Sequence, residues 1–478
     1  MYICTNNIFD DRIVTELLRK EKKMSLKAEN KAQEIGKKSQ AVRTRLINRT
    51  SKSGEMSRRG HPSLAMEVVQ TVDMPHQLYI DTAEGPYLTD LDGNEYIDLT
   101  CGFGPNVVGN KFEKVEKALA EQIKKGWHYG IPGAEQAHLA ELIKESSSGV
   151  DEVMFCNSGS EATMFAFRAA RAVSGKRVIA LFDGSYHGIH DYALVKADHR
   201  SERSEPTGVR LGAGVPEEIS KDLMMMLPNR DSNAYELIRK YKDDLALVVI
   251  EPVQSSNPRL DNQDFLQGLR DVCTECGVLL MFDEVITGFR IEFGGCQQYY
   301  NVYPDIVTYG KAVGGGMPIG VVAGSKWVMN AFSGAEDSPV IFAGGTFNGH
   351  PLTMVAGIAI LEHLKENQEE IYPYLHEQGN RIANEINDFC KANNIAAQMM
   401  NAGSMMHLIF SDDVIESARD IGRSKVEKEF YLHLLGHNVI VPGIHLAFIS
   451  YAHTPDIVDK VIDAFKKSFE DLRQDGYL

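Results

Sequence analysis

Asp283 closes an apolar run, VLLMF, and Lys311 follows 28 positions later with a glycine run directly behind it, within residues 278–324 (VLLMFDEVITGFRIEFGGCQQYYNVYPDIVTYGKAVGGGMPIGVVAG). A carboxylate at the end of a run this apolar needs a partner to stay charged. Burial near other cations disfavours an ammonium and leaves a nucleophilic amine. An acid to hold a proton on a ring nitrogen and an amine to form an imine are what pyridoxal phosphate requires. Lys311 as a surface side chain would be unremarkable, so the reading depends on what surrounds the pair.

Further groups stand at fixed places along the chain. Ser158, Gly159 and Ser160, in NSGSEA, follow a strand and open a helix. Free amides at a helix start make an anion cradle, although a plain helix cap has the same look. Tyr186 and His187, in DGSYHG, could stack on a flat ring or simply pack. Glu251 ends LALVVI, and Glu284 follows Asp283. Thr346, after Gly344 and Gly345, could donate to a phosphate or cap the next helix. Each is ambiguous alone, and their order is the signal.

The elements that must position these groups are short apolar strands alternating with amphipathic helices, which argues for a mostly parallel sheet covered on both faces. Ligands bind beyond the carboxyl ends of such strands, where Glu251 and Asp283 stand. YLTDLDGNEYIDLT reads as a hairpin around Asp92 and Gly93. Residues 352–394 read as one long helix. The expected divisions are a basic helical extension over 1–70, a first part of a small domain over 71–125, a large domain over 126–345, and the rest of the small domain over 346–478.

The chain has 478 residues, 43% of them hydrophobic, and a formal net charge of −16. Residues 1–60 hold 15 Lys and Arg against 7 Asp and Glu, and the remainder holds 35 against 59. A body this acidic repels nucleic acid and anionic membranes. The basic segment reads as a solvated helix or a dock for an anionic partner. Seven cysteines at irregular spacing make no disulfide framework, and the Cys273/Cys276 pair reads as core. With no leader and no bilayer-spanning run, the expectation is a cytoplasmic protein without bound metal.

With NSGSEA, GSYHG, EPVQ, FDEVITGFR, YGKAVGGGMPIG and GTFNGHPL in this order, the chain resembles the class III pyridoxal-phosphate aminotransferases from about Gln77 to Leu472. It looks closest to the branch holding glutamate-1-semialdehyde aminomutase and the aminotransferase units of polyketide and peptide assembly lines. The resemblance implies fold type I, an α/β large domain with a smaller α/β lobe, in a homodimer with interfacial sites. It implies that Lys311 carries the Schiff base and that Asp283 holds the pyridinium proton. Ser158, Gly159 and Ser160 would hold the phosphate, with Thr346 of the neighbouring subunit. Tyr186 and Val285 would cover the ring faces, with His187 close by, Glu251 would lie near the imine, and Phe103 would roof the substrate.

The chain also departs from the aminomutase pattern. No Arg or Lys stands between His61 and Asn110, or between Phe430 and Asp459, where a substrate carboxylate would find a bidentate partner. His445 replaces an acid, and Arg290 remains as a possible anion contact. Arg200, Arg203 and Arg210 lie in a long loop that could gate the site or be solvated. These absences favour a transaminase acting on an aldehyde, a ketone, or a β-keto acyl group masked as a thioester or carrier-bound chain. The alternative is a 2,1-aminomutase.

Overall fold

The computed structural model describes residues 36–60, 76–421, 425–441 and 446–478. A seven-stranded sheet forms its centre, in the order Glu152–Cys156, Gly320–Gly324, Ile306–Gly310, Leu279–Glu284, Leu245–Ile250, Val178–Phe182, Met224–Leu227. Gly320–Gly324 runs antiparallel to both its neighbours, and every other pair is parallel.

Strand side chains alternate between faces, and both faces are dry. Val248, Ile250, Leu280 and Phe282 enter one core, while Leu247, Val249, Leu279 and Met281 enter the other. Each such side chain contributes about 1.5–3 kcal/mol by burial. Helix Gly159–Ser174 packs on the second core through Ala162, Phe165, Ala166 and Ala169, and ends at Gly175 with φ 68°.

The flanks meet in one small sheet. Tyr87–Asp90 and Glu95–Asp98 form the expected hairpin, pairing Leu88 with Tyr96, and Val439–Ile440 joins in parallel beside Glu95–Asp98. The long helix expected after Pro351 is two, Pro351–Glu366 and Gln368–Ala392. Asn367 stands between them with φ −119° and ψ 20°, and its side-chain amide joins its backbone amide on the His363 carbonyl, at 2.8 Å and 3.1 Å.

Where it is described, the basic segment docks by one face and leaves the other to solvent. Helix Lys37–Arg49 buries Val42 and Leu46 against the C-terminal helices. Lys38 pairs with Asp471 and Arg43 with Glu429, each at 2.6 Å. Arg45 donates to the Gly436 carbonyl at the end of helix Lys425–Gly436. Cys273 is core, its thiol pushed up to about 12 by burial. No helix among the described residues is long and apolar enough to cross a membrane.

Candidate active site

Parallel strands bring their carboxyl ends to one edge, and the candidate residues gather there. The stretch after Glu152–Cys156 gives Ser158 and Gly159, that after Val178–Phe182 gives Tyr186 and His187, and Glu251 follows Leu245–Ile250. Asp283 stands near the end of Leu279–Glu284, and Lys311 follows Ile306–Gly310.

Asp283 lies opposite Thr308 in the parallel register. Its Oδ1 accepts from Thr308 Oγ1 at 3.2 Å and from the Val285 amide at 3.1 Å. Its Oδ2 sits 2.8 Å from His187 Nδ1. His187 is therefore not a stacking ring: it is 2% exposed and supports the acid, with its Nε2 buried and without a partner among the described residues. Tyr186 is 54% exposed and close enough to Asp283 for that charge to help raise its hydroxyl pKa, after burial.

Lys311 has φ 50° and begins a tight turn. Its Nζ donates to the Phe103 carbonyl at 2.8 Å. Burial, then the Arg290 charge, pulls its pKa down to about 8, while Glu251 and Asp283 oppose that shift. Glu251 accepts from the Tyr186 amide at 3.2 Å. Burial pushes Glu251 up to about 7, with Asp283 adding to the rise and His187 opposing it. Glu284 has a different job: its carboxylate accepts from Thr287 Oγ1, the Cys296 amide and the Gln297 amide, anchoring helix Gly295–Tyr300.

At the head of helix Gly159–Ser174, Ser158 is occupied as the cap, since its Oγ accepts from the Glu161 amide at 3.2 Å. The Glu161 carboxylate in return takes the Asn157 amide at 2.7 Å. The amides of Gly159 and Ser160 have no partner among the described residues and stand open at the helix head, where amides can take an anion. A Cβ on Gly159 would come 2.8 Å from Val285 Cγ1, so glycine alone lets Val285 lie against this turn. Ser160 Oγ accepts from the Ile189 amide at 3.1 Å. Asn348 Oδ1 accepts from Asn157 Nδ2 at 2.9 Å, which holds the segment containing Thr346 beside the cradle of its own chain, with Thr346 exposed.

Arg290 is 1% exposed and committed elsewhere. It donates to the Gly104 carbonyl, to Ser404 Oγ at 3.0 Å and to the Ile449 carbonyl at 3.2 Å, and it lies over Phe448. It ties three segments together and is not available as a swinging anion contact. Arg200 pairs with Asp198 in solvent, Arg210 donates to the Val215 carbonyl, and Arg203 pairs with Asp420 at 2.5 Å. His445 and residues 62–70, where an arginine was sought, lie outside the described residues. Thr308 and the Arg419–Asp183 pair escaped sequence reading; the register opposite Asp283 could have pointed to Thr308.

An amine at a strand end, a buried supported acid and free helix-head amides define a pyridoxal-phosphate site of fold type I. The chain belongs to the aminotransferase class-III family, whose model matches residues 68–472, and is a pyridoxal-phosphate-dependent aminotransferase of that class. It is 37% identical to the glutamate-1-semialdehyde 2,1-aminomutase of Hyperthermus butylicus, over 85% of this chain and 94% of that protein. Identity is 36% to the enzyme of the same name from Methanocaldococcus jannaschii, over 83% and 92%. Among solved structures, an omega-transaminase from Sphaerobacter thermophilus superposes with a TM-score of 0.82 at 29% identity, covering 88% of this chain and 98% of that one. A beta-phenylalanine aminotransferase from Variovorax paradoxus gives 0.81 at 26%, over 91% and 97%. The aminomutase names favour the 2,1-aminomutase alternative over a transaminase of aldehydes, ketones or masked β-keto acyl groups.

Proposed function

We propose that this enzyme moves an amino group between adjacent carbons of one small amino aldehyde, a 2,1 shift of the glutamate-1-semialdehyde type. The carrying observation is the relatives of that name, 36–37% identical across more than nine-tenths of their length. Bound pyridoxal phosphate supplies an electron sink for charge left when a proton leaves the amine-bearing carbon. Lys311 would hold the cofactor and move that proton: with its pKa near 8, roughly a tenth of the free amine is neutral at pH 7. Asp283, fixed on both oxygens, would keep the ring nitrogen protonated. Tyr186 and Val285 would bound the ring, and Gly159 and Ser160 would take the phosphate. Phe103 would line the substrate side, and Glu251 would share a proton near Lys311.

A second reading is favoured by one observation: the lack of Arg or Lys between His61 and Asn110, with Arg290 already committed. A substrate without a carboxylate near the reacting carbon, aminated by a separate donor, needs no such cation. A nitrogen-15 label separates the readings. With labelled glutamate-1-semialdehyde and an excess of unlabelled donor amine, the 2,1 shift keeps the label in the isomerised product. Label dilution, or turnover only of simple aldehydes and keto-thioesters, overturns it in favour of the second.

The working unit in this proposal is a homodimer in which Thr346, exposed beside the cradle of its own chain, lies at the subunit interface and faces the partner's phosphate cradle across it. Phe342 at 90% exposure, Ile131 at 75% and Trp127 at 59% support a covered face. The ring contact between His128 and Phe347 places two of these segments side by side.

A further inference from the structure

The contact between Arg419 and Asp183 has no part in the chemistry above, yet it joins the C-terminal lobe to the loop carrying Tyr186 and His187. Arg419 lies in segment 411–421, after strand Met405–Ile409. Its Nε donates to Asp183 Oδ2 at 2.6 Å, both side chains being 6% exposed. Another of its nitrogens donates to the Ser201 carbonyl at 2.9 Å.

Asp183 opens the loop 183–188 and is fixed from several sides. Its amide donates to the Leu227 carbonyl at 2.9 Å, and its own carbonyl accepts from Gln254 Nε2 at 2.7 Å. Three residues on, the Tyr186 amide meets Glu251, and His187 meets Asp283. A continuous path thus runs from Arg419 through Asp183 and the loop to the acid at the cofactor ring nitrogen.

A buried ion pair adds little net stability over an apolar contact of the same size, because removing both charges from water offsets their attraction. Its place here is explained by what it holds. We propose that Arg419 is a positioning residue: through Asp183 it fixes the Tyr186–His187 loop, so the seating of the C-terminal lobe sets how firmly and in what environment the cofactor is held. The link bears on the cofactor itself and is the same for either substrate reading.

The test uses holoenzyme variants Arg419→Met, Asp183→Asn, the double variant of these, and Arg259→Met. Arg259 holds the same segment through the Ile415 carbonyl without touching Asp183. The double variant removes both charges, so it breaks the link without leaving one of them buried alone. Arg419→Met, Asp183→Asn and the double variant should release cofactor about tenfold faster, the ratio that matches one lost charge-assisted hydrogen bond. They should also change the visible circular dichroism of the bound cofactor and lower kcat more than they raise KM. Arg259→Met should leave release and spectrum within about twofold of wild type. Wild-type release and spectrum in the double variant, or the full change in Arg259→Met, would overturn the proposal.

Discussion

Lys311 combines a left-handed backbone, a hydrogen bond to Phe103 and a pKa near 8. Uptake of pyridoxal phosphate by cofactor-free protein should therefore rise with pH around a midpoint of about 8, and stopped-flow absorbance would follow it. The same shift has a stability consequence. The unfolded chain keeps Lys311 protonated up to its ordinary value of about 10.4, so between the two pKa values it binds the extra proton. Stability of the cofactor-free protein should rise with pH across that window, and Lys311→Met should remove that part of the rise in urea titrations. Asp283→Asn should fold and lose at least about a hundredfold in turnover, because charge placed to stabilise developing charge is worth that much. Asp283 and Lys311 could be placed because each stands at the carboxyl end of an apolar run. The roles of His187 and Arg290 were not, because their partners lie far away in the chain, at Asp283 for one and at Gly104, Ser404 and Ile449 for the other.

At the scale of elements, the head of helix Gly159–Ser174 separates two jobs that the motif NSGSEA ran together. Ser158 caps and Gly159 admits Val285. Ser158→Ala should cost about 1 kcal/mol of stability, seen as a lower denaturation midpoint, with cofactor affinity largely kept. Gly159→Ala puts a methyl group 2.8 Å from Val285 Cγ1, so equilibrium dialysis should show cofactor affinity reduced more than stability. The alternation of apolar strands with amphipathic helices was readable from periodicity, but the edge strand Met224–Leu227 was not picked out. The break at Asn367 was not, since one asparagine bonding the carbonyl of the preceding turn leaves the apolar pattern on either side intact.

At the scale of the molecule, the mostly parallel sheet followed from strand–helix alternation, and membership of class III followed from motif order. The docking of helix Lys37–Arg49 was hidden, because charge counts cannot show that Lys38 and Arg43 meet acids in the C-terminal helices. The proposed dimer belongs to this scale too. Phe342→Asp should give a monomer by light scattering and weaken cofactor binding, while Thr346→Ala should weaken binding in a protein that stays dimeric. A Phe342→Asp protein of unchanged size that binds cofactor normally would contradict the shared site.

The central claim is that Lys311 bonds the cofactor. Borohydride reduction of the holoenzyme followed by peptide mass mapping tests it directly. The expected result is the reduced cofactor mass on the peptide containing Lys311 and its loss in Lys311→Ala. Labelling at another lysine, or colour and turnover that survive in Lys311→Ala, would contradict it.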